Sequence, residues 1–264
     1  MSEQIKVPTM AELLAEGKVP EVLFWVGCAG SFDDRAKKIT KAFVRIMNKA
    51  GIEFAVLGTE ESCTGDPAKR AGNEFLFQMQ AAMNIQVLNG YEIKKIVTTC
   101  PHCFNTIKNE YPELGGNYEV LHHTELINSL LEEGRITVES GKFEGRSVTY
   151  HDACYLGRSN GIYEVPRSLL KALDIEIKEM TNNRQRGMCC GAGGAQMFKE
   201  AEKGNEEVNV ARTREALAQK TDFIATGCPF CNTMMTDGVK FHEKEGTVKV
   251  LDLAEMIAQA AELE

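Results

Sequence analysis

Two patterns of hydrophobic positions alternate along the chain. VLFWV (22–26) is apolar throughout and is followed by Gly27, which is typical of a buried strand in a parallel sheet. Residues 35–50 instead carry apolar side chains at helical spacing, at Ile39, Phe43, Ile46 and Met47. Because strands that alternate with helices favour parallel sheets with helices on both faces, an α/β fold is predicted.

The same patterns predict elements along the rest of the chain. Strands are predicted over 52–57, 93–99, 118–122, 147–151, 175–180, 222–226 and 248–251. Helices are predicted over 73–88, from 104, from 124, over 165–173, over 205–220, from 233 and over 252–262. Near the N-terminus, Thr9 and Glu12 have the spacing of a capping box, which predicts a short helix there.

The second half of the sequence repeats the first. VTTCPHC (97–103) resembles IATGCPFC (224–231), and the cysteines of these two motifs are 128 residues apart. Cys28 and Cys154 are 126 residues apart. We therefore expect two tandem, pseudo-symmetric Rossmann-like domains with mainly parallel sheets. Their expected bounds are 21–132 and 146–264, after an N-terminal helical extension over 1–20.

Composition narrows the classes of function. The 264 residues are 43% hydrophobic, which suits a globular protein, and the net charge of −8 argues against a nucleic-acid partner. The N-terminal segment 1–20 reads without the apolar core of a signal peptide, so a reducing cytoplasm is the expected compartment. Because structural disulfides are rare there, the nine cysteines indicate metal binding or redox chemistry.

Each group of cysteines follows a predicted strand. Because the carboxyl ends of parallel strands share one edge of a sheet, the cysteines of each half are expected to converge there. The first set is Cys28, Cys63, Cys100 and Cys103, and the second is Cys154, Cys189, Cys190, Cys228 and Cys231. Pairing Cys63 with Cys190 leaves Ser62 opposite Cys189, so Ser62 is expected where the first set lacks its fifth sulfur.

The two sets predict different metals. Four thiolates can complete either a tetrahedral zinc site or a [4Fe–4S] cluster, so both stay open for the first set. Five thiolates exceed what zinc or a closed cubane cluster needs. The second set therefore predicts an unusual iron–sulfur centre.

Several motifs carry a resemblance to a known family. FWVGCAG (24–30), HDACYLGR (151–158), CCGAGGAQM (189–197) and ATGCPFC (225–231) resemble the CCG cysteine-rich domains found in the B-type and D-type components of heterodisulfide reductases. Glycolate oxidase iron–sulfur subunits and lactate-utilisation proteins are similar. The resemblance covers about residues 20–260. It implies two Rossmann-like domains, an incomplete motif in the first and a complete one in the second.

The resemblance also implies a function and a cofactor. It implies electron transfer between a flavin- or ferredoxin-type partner and a disulfide or quinone-linked acceptor, through a [4Fe–4S] cluster that is noncubane in the B-type heterodisulfide reductase components. The cluster would be bound by Cys154, Cys189, Cys190, Cys228 and Cys231. The relatives' N-terminal ferredoxin-like cysteine pattern is not found in this sequence, so a separate iron–sulfur or flavoprotein subunit is expected to exchange electrons with it. The protein is expected in the cytoplasm, or at the inner face of the membrane through a quinone-reducing partner.

The second set supplies the candidate catalytic residues, and two alternative functions remain open for the chain. Cys189 and Cys190 are the candidate catalytic cysteines, and His151, three residues before Cys154, is a candidate proton donor for thiol chemistry. One alternative is a thiol–disulfide oxidoreductase that uses the two C-x-x-C pairs as dithiols. The other alternative is a zinc-stabilised interaction module.

Overall fold

The computed structural model describes residues 5–139, 141–200 and 203–263. Residues 1–4 of the predicted N-terminal extension, and residue 264, lie outside the described residues. The strands are β1 (Val22–Trp25), β2 (Phe54–Ala55), β3 (Lys95–Thr98), β4 (Glu119–His122), β5 (Ser147–Tyr150), β6 (Glu176–Ile177), β7 (Phe223–Thr226) and β8 (Lys249–Asp252).

The α-helices surround these strands. In the first half they are α1 (Met10–Ala15), α2 (Gly27–Phe32), α3 (Ala36–Lys49), α4 (Asp66–Arg70), α5 (Glu74–Gly90), α6 (Pro101–Asn105) and α7 (His123–Glu132). In the second half they are α8 (Cys154–Gly157), α9 (Glu164–Ala172), α10 (Val208–Leu217), α11 (Pro229–Phe241) and α12 (Leu253–Ala260). No helix within the described residues is long and apolar enough to cross a membrane.

Two four-stranded sheets with the same topology confirm the predicted α/β repeat. The strand order is β2-β1-β3-β4 in the first sheet and β6-β5-β7-β8 in the second, and every pair is parallel. All four residues of β1 are buried, and so are all four of β5. The two central strands are covered on both faces, which accounts for the continuous apolar run at 22–26.

Some elements differ from the prediction for local reasons. The helix predicted from 233 begins at Pro229, because proline suits the first helical turn, where its missing N–H is not needed. Three short helices, α2, α4 and α8, were not predicted, since four to six residues are too few to show helical periodicity. The capping box at Thr9 is confirmed: its hydroxyl accepts from the N–H of Glu12 at 3.2 Å.

The two halves share one hydrophobic core. Phe43 of α3 and Ile127 of α7 lie in the same buried cluster as Leu170 of α9 and Ile257 of α12. Polar contacts also cross between the halves. Arg35 pairs with Glu255 at 2.7 Å, and the ring of His123 bonds to Asp252 at 2.9 Å. Shared burial therefore fixes the position of one cysteine set relative to the other.

Candidate metal centres

The first four cysteines meet at the carboxyl edge of the first sheet. Cys28 lies in the first turn of α2 and Cys63 in the loop after β2, while Cys100 and Cys103 begin α6. The Cys100 thiol accepts a hydrogen bond from Cys103. Burial, followed by the Cys100 and Cys63 thiols, raises the pKa of Cys28 to about 12. The structure therefore brings together all four residues of the predicted first set.

A carboxylate holds the turn that carries Cys28. Glu61 accepts hydrogen bonds from the backbone N–H groups of Val26 and Gly27, at 2.9 and 2.6 Å. Gly27 has a φ of 77°, and a Cβ at this position would lie 3.4 Å from Cys103 Sγ. A larger residue there would strain the backbone and place its Cβ in contact with the Cys103 sulfur.

The five cysteines of the second half form a chain of hydrogen-bonded thiols. The bonds join Cys154 to Cys189, Cys189 to Cys190, Cys190 to Cys231 and Cys231 to Cys228. Bonds from Cys154 and Cys190 hold the pKa of Cys189 well below its usual range, because they stabilise its thiolate. The bond to Cys189 raises the pKa of Cys190 to about 12. The predicted second set is thus assembled in full.

A glycine turn fixes the register between the two sets. The Gly191 N–H donates to Cys189 Sγ at 3.3 Å, and Gly191 has a φ of 94°. The Gly65 N–H donates to Cys63 Sγ at 3.5 Å, and Gly65 has a φ of 90°. The turns are equivalent, so Cys63 corresponds to Cys189.

This register places Thr64, not Ser62, where the fifth cysteine would stand. Thr64 is buried, and its hydroxyl lies 3.9 Å from Cys103 Sγ, just as Cys190 contacts Cys231 in the second half. The expectation for Ser62 is therefore wrong. Cysteine spacing alone did not distinguish an offset of 126 residues from one of 127 at this point of the repeat.

Ser62 belongs to a polar network behind the first set. Its hydroxyl donates to Asn84 Oδ1 at 2.8 Å. The amide of Asn84, which is 1% exposed, donates to the Cys63 carbonyl at 2.9 Å and to the Tyr111 hydroxyl at 3.0 Å. Asn84 therefore supports the Cys63 loop from α5.

The two cysteine sets touch each other. Cys228 donates a hydrogen bond to Cys100, so the C-x-x-C segments of the two halves are in contact. His102 lies between them: its ring is 4.6 Å from that of Tyr155 and 5.4 Å from that of Phe230, and its Nδ1 is 2.9 Å from Asp66 Oδ2. A residue of the first half thus forms part of the wall around the second set.

His151 lies beside the second set, as its position in the sequence predicted. A ring nitrogen is within 4.8 Å of the sulfur atoms of Cys190 and Cys231. Its Nδ1 accepts a hydrogen bond from Nε of Arg212 at 3.1 Å. Burial, and then the Arg212 charge, lowers the pKa of His151 to about 3. The ring is therefore neutral at physiological pH.

The donor sets fit a thiolate-bound metal. All nine cysteines are free of disulfides, and five of them are buried. Thiolates are the preferred ligands of iron–sulfur clusters and of structural zinc. Four converging thiols match either group, and five match only a group that can use an additional sulfur.

A comparison with protein-family models matches the cysteine-rich domain, CCG, to residues 22–108 and again to 148–236. The chain belongs to the CCG family. Each match covers the first three strands of one sheet and one complete cysteine set, so the family repeat falls on the structural repeat.

Two curated relatives of this CCG chain are named as oxidoreductases. One, from Bacillus subtilis (strain 168), is named "Probable iron-sulfur-binding oxidoreductase FadF"; it is 47% identical over 97% of this chain and 36% of its own length. The "EtfAB:quinone oxidoreductase" of Syntrophomonas wolfei is 46% identical over 97% of this chain and 37% of its own. The chain therefore spans little more than a third of these relatives.

More distant similarities agree with the fold. The D-type component of the dihydromethanophenazine:CoB–CoM heterodisulfide reductase of Methanosarcina barkeri is 31% identical over 91% of this chain and 59% of its own. A solved structure of a hypothetical protein from Helicobacter pylori has a TM-score of 0.58 at 10% identity, over 91% of this chain and 48% of that one. The second similarity shows a shared fold.

Sequence reasoning did not find several residues that support the CCG cysteines. Thr64 was overlooked, although the Thr64-Gly65 pair after Cys63 repeats the Cys190-Gly191 pair after Cys189. Arg212 was overlooked because an arginine in a helix is ordinarily placed on the surface. The cysteines' role as ligands stays a prediction.

Proposed function

We propose that the chain is the iron–sulfur electron-transfer part of an oxidoreductase of the heterodisulfide reductase type. The chain of five hydrogen-bonded thiols in the second half carries this proposal, since no single-metal site needs so many sulfur ligands. The contact between Cys100 and Cys228 supports a relay between two adjacent centres. The names of the relatives support the same class of chemistry.

The residues divide into two ligand sets under this proposal. Cys28, Cys63, Cys100 and Cys103 would hold zinc or a [4Fe–4S] cluster, and the five cysteines of the second half would hold a [4Fe–4S] cluster of noncubane type. Such a cluster supplies a one-electron couple when bound. The surrounding chain excludes water, because the four C-x-x-C thiols are at most 6% exposed.

Cys189, Cys190 and His151 are the residues we assign to chemistry at the second centre. Cys189 is half-buried and carries the most acidic thiol of its set, so it is the ligand most open to an incoming disulfide. Cys190 is buried beneath it. With a neutral ring, His151 is suited to hydrogen-bond a sulfur atom.

A dithiol mechanism at the C-x-x-C pairs is the weaker candidate. Catalytic dithiols must meet their substrate, and reactive cysteines are partly exposed. The exposed fractions here are 2% for Cys100, 6% for Cys103, 1% for Cys228 and 2% for Cys231. Their burial favours a ligand role over direct attack on a disulfide.

Partners are proposed from the relatives' names. One relative is an EtfAB:quinone oxidoreductase and another, from Chromohalobacter salexigens, is named "Probable membrane-anchored ferredoxin". We propose a flavoprotein or ferredoxin-type donor and a disulfide or quinone-linked acceptor. The chain would work in the cytoplasm, or at the inner face of a membrane through such a partner.

Metal analysis of anaerobically purified protein tests the proposal. Two clusters predict about eight irons and a brown protein, and one cluster with zinc predicts about four irons and one zinc. Cys154→Ser should lower the iron content, and Cys28→Ser should lower the iron or the zinc of the first site. A colourless protein that holds two zinc ions, or no metal, would overturn electron transfer.

A thiol titration separates a catalytic disulfide reductase from an electron relay. A catalytic second centre should change its EPR signal when a thiol is added to the oxidised protein, and Cys189→Ser should remove that change. A relay should pass electrons from a reduced flavoprotein to a quinone analogue with no thiol-dependent signal. A thiol-dependent change of the EPR signal therefore indicates a disulfide reductase, and electron transfer to the quinone analogue without that change indicates a relay.

A further inference from the structure

The helices behind the two cysteine sets bury different residues at equivalent positions. On α5 the buried residues include Ala81, Asn84, Ile85 and Leu88, and on α10 they include Asn209, Arg212, Thr213 and Ala216, with the same spacing. Asn84 therefore corresponds to Arg212, 128 residues later, at the offset of the C-x-x-C pairs. The first set is backed by a neutral amide and the second by a cation.

Arg212 is fully buried and is held by three contacts. Its Nε donates to His151 Nδ1 at 3.1 Å, and its Nη1 donates to the Asn182 carbonyl at 2.9 Å and to Glu215 at 2.5 Å. Its Nη2 is buried and finds no hydrogen-bond partner among the described residues. A buried, unpaired N–H group on a cation is costly, which points to a ligand at this place.

The free Nη2 lies on the side of the guanidinium that meets His151. In the planar guanidinium group, Nε–H and Nη2–H point out along the same edge, and here Nε–H already bonds to His151. Glu215 contacts Nη1 and offsets part of the positive charge, while the Nε and Nη2 donors on this edge meet no carboxylate among the described residues. The positive edge of Arg212 is therefore directed to the His151 side of the second cysteine set.

Arg212 also determines which ring nitrogen of His151 carries the proton. An arginine donates and never accepts, so Nδ1 of His151 must carry the lone pair and its proton sits on Nε2. A ring nitrogen of His151 lies within 4.8 Å of the Cys190 and Cys231 sulfur atoms. In this tautomer His151 is an N–H donor and is not a metal ligand.

The equivalent positions of the first set lack both the arginine and the histidine. The counterpart of His151, by the offset of 126, is Trp25. Two carboxyl groups approach the first set: Glu61 holds the Cys28 turn, and Asp66, which bonds to His102 and Arg70, acts on Cys63. The two sets thus differ in the side chain that stands behind them, a neutral Asn84 amide for the first and the Arg212 guanidinium for the second.

We propose that Arg212, acting through His151, is a positioning residue that raises the reduction potential of the second centre. Reduction adds one electron and one negative charge to the centre. A buried cation and an N–H donor stabilise that charge, whereas nearby carboxylates oppose it. This inference rests on the proposed function, since it assumes that the second centre is redox-active.

Redox titration of the anaerobic, metal-loaded protein tests the inference. The visible and EPR signals of the second centre are followed against potential for the wild type, Arg212→Gln and Arg214→Gln. At a fixed potential, Arg212→Gln should lower the ratio of reduced to oxidised centre about tenfold, which is 59 mV for a one-electron couple. Arg214 is the matched control, because it is exposed on the same helix and loses the same charge; its substitution should leave the ratio unchanged.

A second variant keeps the test decisive if Arg212→Gln does not fold. His151→Gln preserves Arg212 and removes only the ring, and we expect it to lower the same ratio by a smaller factor. Iron content and circular dichroism establish that each variant is loaded and folded. An unchanged or raised potential in a folded, iron-loaded Arg212→Gln variant overturns the inference. If Arg212→Gln does not fold, the same result in His151→Gln overturns it. Either result leaves the proposed function standing. A wild type without an iron–sulfur signal overturns both.

Discussion

The two halves present the same cysteine scaffold with different surroundings. Both use parallel strands that end at one edge, a Cys-x-Gly turn with glycine at positive φ, and a C-x-x-C segment at a helix start. They differ at Thr64 and Cys190, and at Asn84 and Arg212. The fold therefore sets where the thiols stand, while a few buried side chains set how many there are and which charge surrounds them.

The difference between Thr64 and Cys190 is a single hydroxyl in place of a thiol. Both side chains are buried and approach the last cysteine of their set. A neutral hydroxyl is a poor ligand for a cluster that prefers thiolates. We propose that this exchange reduces the first set to four ligands. Two reciprocal substitutions can test it.

Cys190→Thr should produce the largest effect, because it gives the second set the composition of the first. Four thiols remain, so we expect iron to be retained while the visible and EPR spectra of the second centre change to those of a four-thiolate cluster. Anaerobic spectroscopy with iron and sulfide analysis measures this. An unchanged spectrum would show that Cys190 is not a ligand.

Thr64→Cys should have the reciprocal effect on the first set. The new thiol would lie near Cys103, so the metal of the first site should acquire a spectrum that approaches that of the second centre. Ser62→Cys is the matched control, because the Ser62 side chain is bonded to Asn84 and lies outside the equivalent position. If Ser62→Cys changes the spectrum and Thr64→Cys does not, our register between the halves is wrong.

The convergence of the cysteines could be predicted from the sequence, but their exact neighbours could not. Strand-end placement is a property of parallel sheets, so Cys28 and Cys100 were expected to meet although 72 residues separate them. The glycine register was missed, because the offset drifts from 126 to 128 and the cysteines alone were used to align the halves; the shared backbone conformation of Gly65 and Gly191 fixes the alignment. A repeat specifies topology more firmly than it specifies which residues are equivalent.

Buried polar residues were the other feature that sequence reasoning could not reach. Arg212 lies on a helix whose sequence, VNVARTREAL, has a weak apolar face, so nothing marked this arginine as buried. Its position follows from tertiary contacts with His151 and Asn182, which lie 61 and 30 residues away. Long-range polar pairing of this kind leaves no local signal.

Asn84→Ala should destabilise the first half. The substitution removes the hydrogen bonds of Asn84 to the Cys63 carbonyl, the Tyr111 hydroxyl and the Ser62 hydroxyl. The Tyr111 hydroxyl keeps its bond to the Thr64 carbonyl at 3.1 Å and Ser62 is exposed, so we expect a loss of about 2 kcal/mol. Urea unfolding at matched metal loading measures the free energy. Asn128→Ala is the control: this exposed side chain bonds only to Glu132, and its loss should cost less than about 0.5 kcal/mol. Equal losses in the two variants would contradict a structural role for Asn84.

The smallest expected difference concerns the caps of two equivalent helices. Glu125 of α7 accepts from the His122 N–H at 3.0 Å, and Glu255 of α12 accepts from the Asp252 N–H at 2.9 Å. Glu255 also pairs with Arg35 across the halves, at 2.7 Å and with side chains only 10% and 21% exposed.

Glu125→Ala should therefore lower the free energy of unfolding by about 1 kcal/mol, which is the usual contribution of a helix cap. Alanine at position 255 should cost about 2 kcal/mol, because it also leaves Arg35 without its carboxylate. Denaturant unfolding measures both, and Arg35→Ala combined with Glu255→Ala should cost less than the sum of the single losses, since the two residues interact directly. Additive losses would show that Arg35 and Glu255 do not interact and that this ion pair contributes nothing to the contact between the halves.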